Sequence, residues 1–169
     1  MKASVLAIRL GALLGLIAAL LAMYVESEAE AASALGVAYV SPLCDRFGFS
    51  CSKVLTSRYA HVLSAWGVVP RGHAMDVSNA AAGAAYYALA LALSAPASLC
   101  LPASAARSAL LFASAGSLAF SAYLAWILKT ALKENCPICI SMYVANAAIF
   151  VGVAAQAARA LPRGAGKRD

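Results

Sequence analysis

The chain has 169 residues, of which 63% are hydrophobic and 12% charged, with a mean hydropathy of +0.80. That balance lies outside the range of soluble globular domains and points to a single membrane domain over residues 1–169. The formal net charge of +6 calls for no nucleic acid, because a basic tail beside anionic lipid accounts for it.

Crossing a hydrocarbon core takes about 20 mostly apolar residues, and the sequence predicts four such spans, at residues 3–25, 80–101, 108–128 and 138–160. The expected fold is an all-α membrane protein, a four-transmembrane-helix bundle with a long loop, residues 26–79, between spans 1 and 2. Ala, Ser and Gly dominate the spans, and small side chains let helices approach closely in lipid. The first span also admits a second reading. Lys2, Arg9, the apolar run and Ala29-Glu30-Ala31 resemble a cleavable signal peptide, although about 16 apolar residues from Leu10 exceed the usual core of about 7–15.

Cytoplasmic flanks of membrane spans collect Lys and Arg. With both termini cytoplasmic, that side holds Lys2, Arg9, Arg107, Arg159, Arg163, Lys167 and Arg168, opposed by Asp169 alone. The other side carries Arg46, Lys53, Arg58, Arg71, Lys129 and Lys133, balanced by Glu26, Glu28, Glu30, Asp45, Asp76 and Glu134. This orientation puts Cys44 and Cys51, in the long loop, on the same non-cytoplasmic face as Cys136 and Cys139, which open the fourth span. Disulfides persist in an endoplasmic reticulum lumen or a periplasm, which is where such a face belongs. Cys100, at the opposite end of the second span, reads as a small buried apolar residue.

Two close cysteine pairs on a membrane helical protein suggest thiol–disulfide exchange. In Cys136-Pro137-Ile138-Cys139 the cysteines lie three apart on one face of a helix start, where unpaired amides and the helix dipole stabilise a thiolate. Pro137 suits the first turn, and Lys129 and Lys133 add positive charge nearby. Two other uses remain open from spacing: a structural disulfide between Cys44 and Cys51, or a zinc site drawing on the four cysteines with His61 and His73. The six residues between Cys44 and Cys51 exceed the usual zinc spacing. Along the fourth span, Cys139, Tyr143 and Asn146 recur on one face, a polar stripe of the kind that marks a substrate path. Tyr143 as an interfacial aromatic and Asn146 as an interhelical hydrogen-bonder are the plainer readings. Asn79, following Asp76 and Ser78, reads from the sequence as a helix cap.

The segments Cys44-Asp45, Cys51-Ser52-Lys53-Val54-Leu55-Thr56-Ser57-Arg58, Ser78-Asn79, Tyr123-Leu124-Ala125-Trp126-Ile127-Leu128 and Cys136-x-x-Cys139 with Tyr143 resemble the vitamin K epoxide reductase family. Order and spacing agree through nearly the whole chain and are most similar to the animal members, without the fused thioredoxin-like domain of bacterial ones. The resemblance implies a four-helix bundle enclosing a quinone pocket, with the long loop as its lumenal cap, in the endoplasmic reticulum membrane. It implies catalysis by Cys139 at the substrate ring with Cys136 closing the disulfide, and an electron relay through Cys44 and Cys51 from a thioredoxin-fold partner in the lumen. It also turns Asn79 into a partner of a quinone oxygen, alongside Tyr143, and places Leu55, Ser57 and Tyr59 against the substrate.

Vitamin K epoxide or quinone would be the substrate, with no metal and no permanently bound cofactor, and the lipid bilayer as the surroundings. Disulfide generation for protein folding and a disulfide-stapled membrane scaffold are the alternatives. The chain departs from the animal pattern at the shortened stretch between Cys44 and Cys51, at Tyr59 where a Trp stands, at Leu55 where a Phe stands, and at Pro137. These changes bear on epoxide preference and on sensitivity to coumarin-type anticoagulants.

Overall fold

A computed structural model describes residues 2–41, 44–45, 48–94 and 102–160, and all regular structure among them is helical. Helix α1 runs Lys2–Ala34, nine residues past the predicted end of the first span. The extension Glu26-Ser27-Glu28-Ala29-Glu30-Ala31-Ala32 is rich in Ala and Glu, strong helix formers. The helix stops where Gly36 takes a left-handed φ of 70°. There the Gly36 and Val37 amides return to the Ser33 and Ala32 carbonyls at 3.0 Å each, a glycine-terminated C-cap. The loop expected from residue 26 therefore begins about 13 Å further along the axis, at the helical rise of about 1.5 Å per residue.

Short elements follow: α2 Cys51–Leu55, a 3₁₀ turn Arg58–Ala60 and α3 Val62–Ala65. Helix α4, Asn79–Leu93, is capped by Ser78, whose hydroxyl accepts the Ala81 amide at 3.2 Å. The cap is thus Ser78, and Asn79 is already the first helical residue, which corrects the cap reading of Asn79. Residues 95–101, including Cys100 and the far end of the predicted second span, lie outside the described residues, as do Arg163, Lys167, Arg168 and Asp169. Helix α5, Ala103–Ile127, starts five residues before the predicted third span and continues into a π-helical turn, Leu128–Leu132. Helix α6, Pro137–Ala160, coincides with the predicted fourth span to within one residue.

Three of these helical stretches, Ala3–Ala34, Ala103–Leu132 and Pro137–Ala160, are long and apolar enough to cross a membrane; α4 is a shorter apolar helix among the described residues. Helix α1 packs on α6 and α4, and α5 packs on α6. Ile8, Ala12, Ala19 and Ala22 of α1 are buried in that packing, so the first span is part of the bundle rather than an appendage to it. Its opposite face, with Leu6, Leu10, Leu14 and Ile17 exposed, has the character of a lipid-facing surface.

Close approach of backbones sets the core. A Cβ at Gly15 would fall within 3.0 Å of three atoms of the fully buried Tyr87 ring, whose hydroxyl donates to the Met142 carbonyl at 3.1 Å. Gly15 is therefore the socket for an aromatic ring that ties α4 to α6.

Candidate active site

The redox groups gather where α2 meets the start of α6. Cys44 and Cys51 are joined as a disulfide, their Cα atoms 5.6 Å apart, while Cys136 and Cys139 are free thiols. The Cys136 Sγ stands 3.5 Å from the Cys51 Sγ, so the loop pair and the helix pair are in sulfur contact. Pro137 begins α6 as expected, and the Cys136 carbonyl accepts the first helical bond, from the Ile140 amide at 3.0 Å. Cys136 therefore occupies the cap position. Its sulfur takes the acceptor's part of a capping side chain, receiving the Cys139 amide at 3.3 Å. Hydrogen bonding from Cys139, thiol and amide, outweighs burial and holds the Cys136 thiol below its ordinary pKa.

Three sets of polar contacts hold this arrangement. Asp45 accepts the Ser41 amide at 2.6 Å, the Ser52 amide at 3.0 Å and the Ser52 hydroxyl, tying the Cys44 segment to the first turn of α2. Burial works against the Asp45 charge, but the bonds from Ser52, Ser41 and Cys51 prevail and keep its carboxyl below the ordinary value. The Ser50 amide donates to the Asn135 carbonyl at 3.0 Å, and Lys53 pairs with Glu134, so α2 is clasped to the residues preceding α6. Lys129 donates to the Asn135 side chain at 3.1 Å, a further tie to the residue before Cys136.

Beneath the sulfurs lies a cavity of about 180 Å³ enclosed by α1, α4, α5, α6 and the segment from α2 to the 3₁₀ turn. Cys139, Asn79, Tyr143, Leu55, Ser57 and Tyr59, all singled out in the sequence, line it together. Cys44, Cys51 and Cys136 stand outside the lining. The Asn79 amide donates one N–H to the Tyr59 carbonyl at 2.6 Å, tying the roof to α4. Its second N–H stays available to a ligand. Asn146, which also lines the cavity, donates to the Ser121 hydroxyl of α5 at 2.7 Å, the interhelical bond expected of it.

The roof is tied down a second time from α3, where the Trp66 indole donates to the Tyr123 hydroxyl at 2.8 Å. Behind it, Asp76 accepts the amides of Ser64 and Gly72 at 3.2 and 3.3 Å and lies 3.4 Å from His61. His61 and His73 face Asp76 and the Met75 amide respectively, and among the described residues no three His, Cys, Asp or Glu side chains are grouped as metal ligands.

Residues 6–154 match the family model described as the vitamin K epoxide reductase family. The chain belongs to that family. Vitamin K epoxide reductase complex subunit 1 of Rattus norvegicus is 34% identical over 117 residues, 64% of this chain and 66% of the relative. The same subunit of Mus musculus matches at the same identity and coverage. The matched stretch is therefore just under two thirds of each relative's length. The chain is thus a member of the vitamin K epoxide reductase family with three helices long and apolar enough to cross a membrane.

Sequence reasoning missed several members of this family site. Asp45 was read as a flanking charge and as part of the Cys44-Asp45 family segment with no role of its own, yet its place beside Cys44 and seven residues before Ser52 is what latches the loop. Glu26 was counted among the flanking charges but lines the cavity. Tyr86, Ser117 and Ser121 also line it, and nothing in their spacing distinguished them from other small and aromatic residues of the spans.

Proposed function

We propose that the protein reduces vitamin K 2,3-epoxide, vitamin K quinone or both, by a dithiol–disulfide relay through its four clustered cysteines. The observation that carries this reading is the sulfur contact of 3.5 Å between Cys51 and Cys136, together with Cys139 as the only one of the four whose side chain lines the cavity. Electrons would pass from a thioredoxin-fold partner to Cys44, across the disulfide to Cys51, and on to Cys136. Cys139 would then deliver them to the substrate ring. Two thiols becoming a disulfide release two electrons and two protons, the amount that turns a quinone into a hydroquinone or an epoxide into a quinone and water.

Each chemical role has a physical basis in the site. Cys136 carries the lowered pKa, which suits it to exchange with Cys51 as a thiolate. Asn79 and Tyr143 would hydrogen-bond the substrate oxygens in a cavity lined mostly by apolar groups, where such bonds act more strongly than in water. Leu55, Ser57 and Tyr59 would cover the ring from above. Cys44 is only 3% exposed, so a protein partner gains access to it when the segment latched by Asp45 opens.

The same reading places α4 as a fourth membrane span, the segment between α1 and α4 as a lumenal cap, and both termini in the cytoplasm, in the endoplasmic reticulum membrane. The charge distribution supports that orientation. Run in the opposite direction, the relay would generate disulfides for protein folding at the expense of quinone; reversible thiol exchange permits both.

Cys139→Ala in purified protein supplied with a dithiol should abolish formation of quinone from epoxide and of hydroquinone from quinone. Full turnover in that variant would remove the reading. Product analysis with each substrate separately shows which reaction predominates.

A further inference from the structure

The chemistry proposed above moves protons as well as electrons, and among the described residues one carboxyl group, that of Glu26, lines the cavity. Glu26 sits on α1 at the end of the apolar run and lines the same cavity as Cys139. Its Oε1 is buried and has no hydrogen-bond partner among the described residues. An ionisable side chain at such a place is costly to keep, and is retained where it does chemistry.

Cys139, Tyr59, Tyr86 and Tyr143 line the cavity with it, Glu30 follows one turn on along α1, and Ser78 and His61 are near enough to act on its charge. The His61 Nδ1 lies 2.8 Å from the Asp76 carbonyl, which can only accept, so Nδ1 bears the proton.

We propose that Glu26 is the proton-exchanging residue of the quinone cavity. This inference rests on the quinone-reductase reading of the site. In the step, the Cys139 and Cys136 sulfurs form their S–S bond and two electrons enter the quinone. Protonated Glu26 gives its proton to one quinone oxygen. One thiol proton goes to the other oxygen, and the second thiol proton restores Glu26. Dithiol plus quinone becomes disulfide plus hydroquinone, and Glu26 ends as it began.

Full-length protein in detergent with a short-chain naphthoquinone and a dithiol provides the test. Glu26→Gln keeps the shape and cannot exchange a proton, so kcat should fall about a hundredfold, the usual worth of a positioned acid–base group, with KM within threefold. One titration present in the wild-type kcat–pH profile should be missing from the variant. Glu26→Ala should regain turnover when formate is added, which a merely structural role would not allow. Reduction of the Cys44–Cys51 disulfide by a phosphine should proceed equally in wild type and Glu26→Gln, showing an intact fold.

Undiminished turnover in Glu26→Gln overturns the assignment. A loss of turnover with an unchanged pH profile and no formate rescue also overturns it, in favour of a packing role. Wild-type protein that turns over neither quinone nor epoxide would overturn the underlying functional reading as well, so the two failures are distinguishable.

Discussion

The packed core between α1, α4 and α6 and the sulfur-lined core at the α2 end of the bundle are made of different materials. The first is assembled from Ile8, Ala12, Ala19, Tyr87, Ala90, Ile149 and Val153, apolar or nearly so, and closed by glycine-to-ring contact. The second combines Ala22, Val25, Val54, Leu55 and Leu128 with Cys44, Cys51 and Cys136, and is held from outside by Asp45 and the clasp from Ser50 and Lys53 to Asn135 and Glu134. Shape, with one hydrogen bond from the Tyr87 hydroxyl to the Met142 carbonyl, fixes the first core. The second owes its geometry to a few polar bonds around groups that must react, and polar bonds can open one at a time. The proposed exchange of thiols with an outside partner would need that second kind of core, set on a frame of the first kind.

The sharpest way to break the contrast is at Gly15. Gly15→Ala puts a methyl group where the Tyr87 ring lies, and the ring is held by its bond to the Met142 carbonyl. Overpacking of this sort costs about 1–3 kcal/mol, more than the roughly 1 kcal/mol that Ala gains over Gly in a helix. Thermal unfolding in detergent should fall by several degrees, and Gly15→Ala combined with Tyr87→Leu should recover much of it. A single variant as stable as wild type would mean that the α1–α4 contact is not a close-packed one.

That frame was largely legible in the sequence, because span length and the abundance of small residues depend on composition. The predicted fourth span, residues 138–160, and helix α6, Pro137–Ala160, agree for that reason. The end of α1 was not legible: charged Glu26, Glu28 and Glu30 mark a membrane boundary, but they favour helix as strongly as the apolar residues before them. At the site, the motif cysteines, Asn79 and Tyr143 were visible as residues, and the family pattern supplied their grouping. The latch was invisible, since an Asp beside a Cys looks like any loop charge until Ser41 and Ser52 are seen to converge on it. The Ser78 cap was misassigned to Asn79 by one position, the ordinary uncertainty of a helix start.

Loosening the sulfur core without touching a sulfur sharpens the comparison next. Asp45→Asn keeps the side chain's size but replaces a charged acceptor of the Ser41 and Ser52 bonds. Bonds to a charged group contribute about 1.5–3 kcal/mol, so the variant should open the Cys44 segment at least about tenfold more often. Reduction of the Cys44–Cys51 disulfide by a phosphine, which needs no thiolate, should accelerate by that factor while the thermal midpoint of the bundle barely moves. The pH dependence has a definite sign. Because the folded Asp45 carboxyl titrates below its ordinary value, the latch is fully present above about pH 3.9, the unperturbed value, and is lost as pH falls through the folded one. Wild-type reduction should therefore speed up under acid conditions and approach the rate of Asp45→Asn, whose own rate stays flat. Equal rates for the two proteins at neutral pH would show that Asp45 latches nothing.

The smallest expected effect lies where the chain turns from the π-helical segment into α6. Lys133 adopts a left-handed conformation, φ 55°, and the Glu134 amide then returns to the Leu128 carbonyl at 3.3 Å. The turn sets Glu134 and Asn135 where Lys53, Ser50 and Lys129 meet them, so it positions Cys136 indirectly. A side chain in this conformation costs about 1–2 kcal/mol, whereas glycine adopts it freely but loses more chain entropy on folding, about 0.4–1 kcal/mol. Lys133→Gly should thus stabilise the protein slightly, by about 1 kcal/mol, raising the midpoint by about 2–4 °C. Lys133→Ala, which keeps the strain, should leave it unchanged. The ordering of glycine above alanine at an exposed position is a reversal of ordinary helix propensity, and it follows only if the backbone here is held left-handed by the bonds around it. Alanine more stable than glycine would show that the turn relaxes in solution and that Asn135 and Cys136 are positioned by the clasp alone.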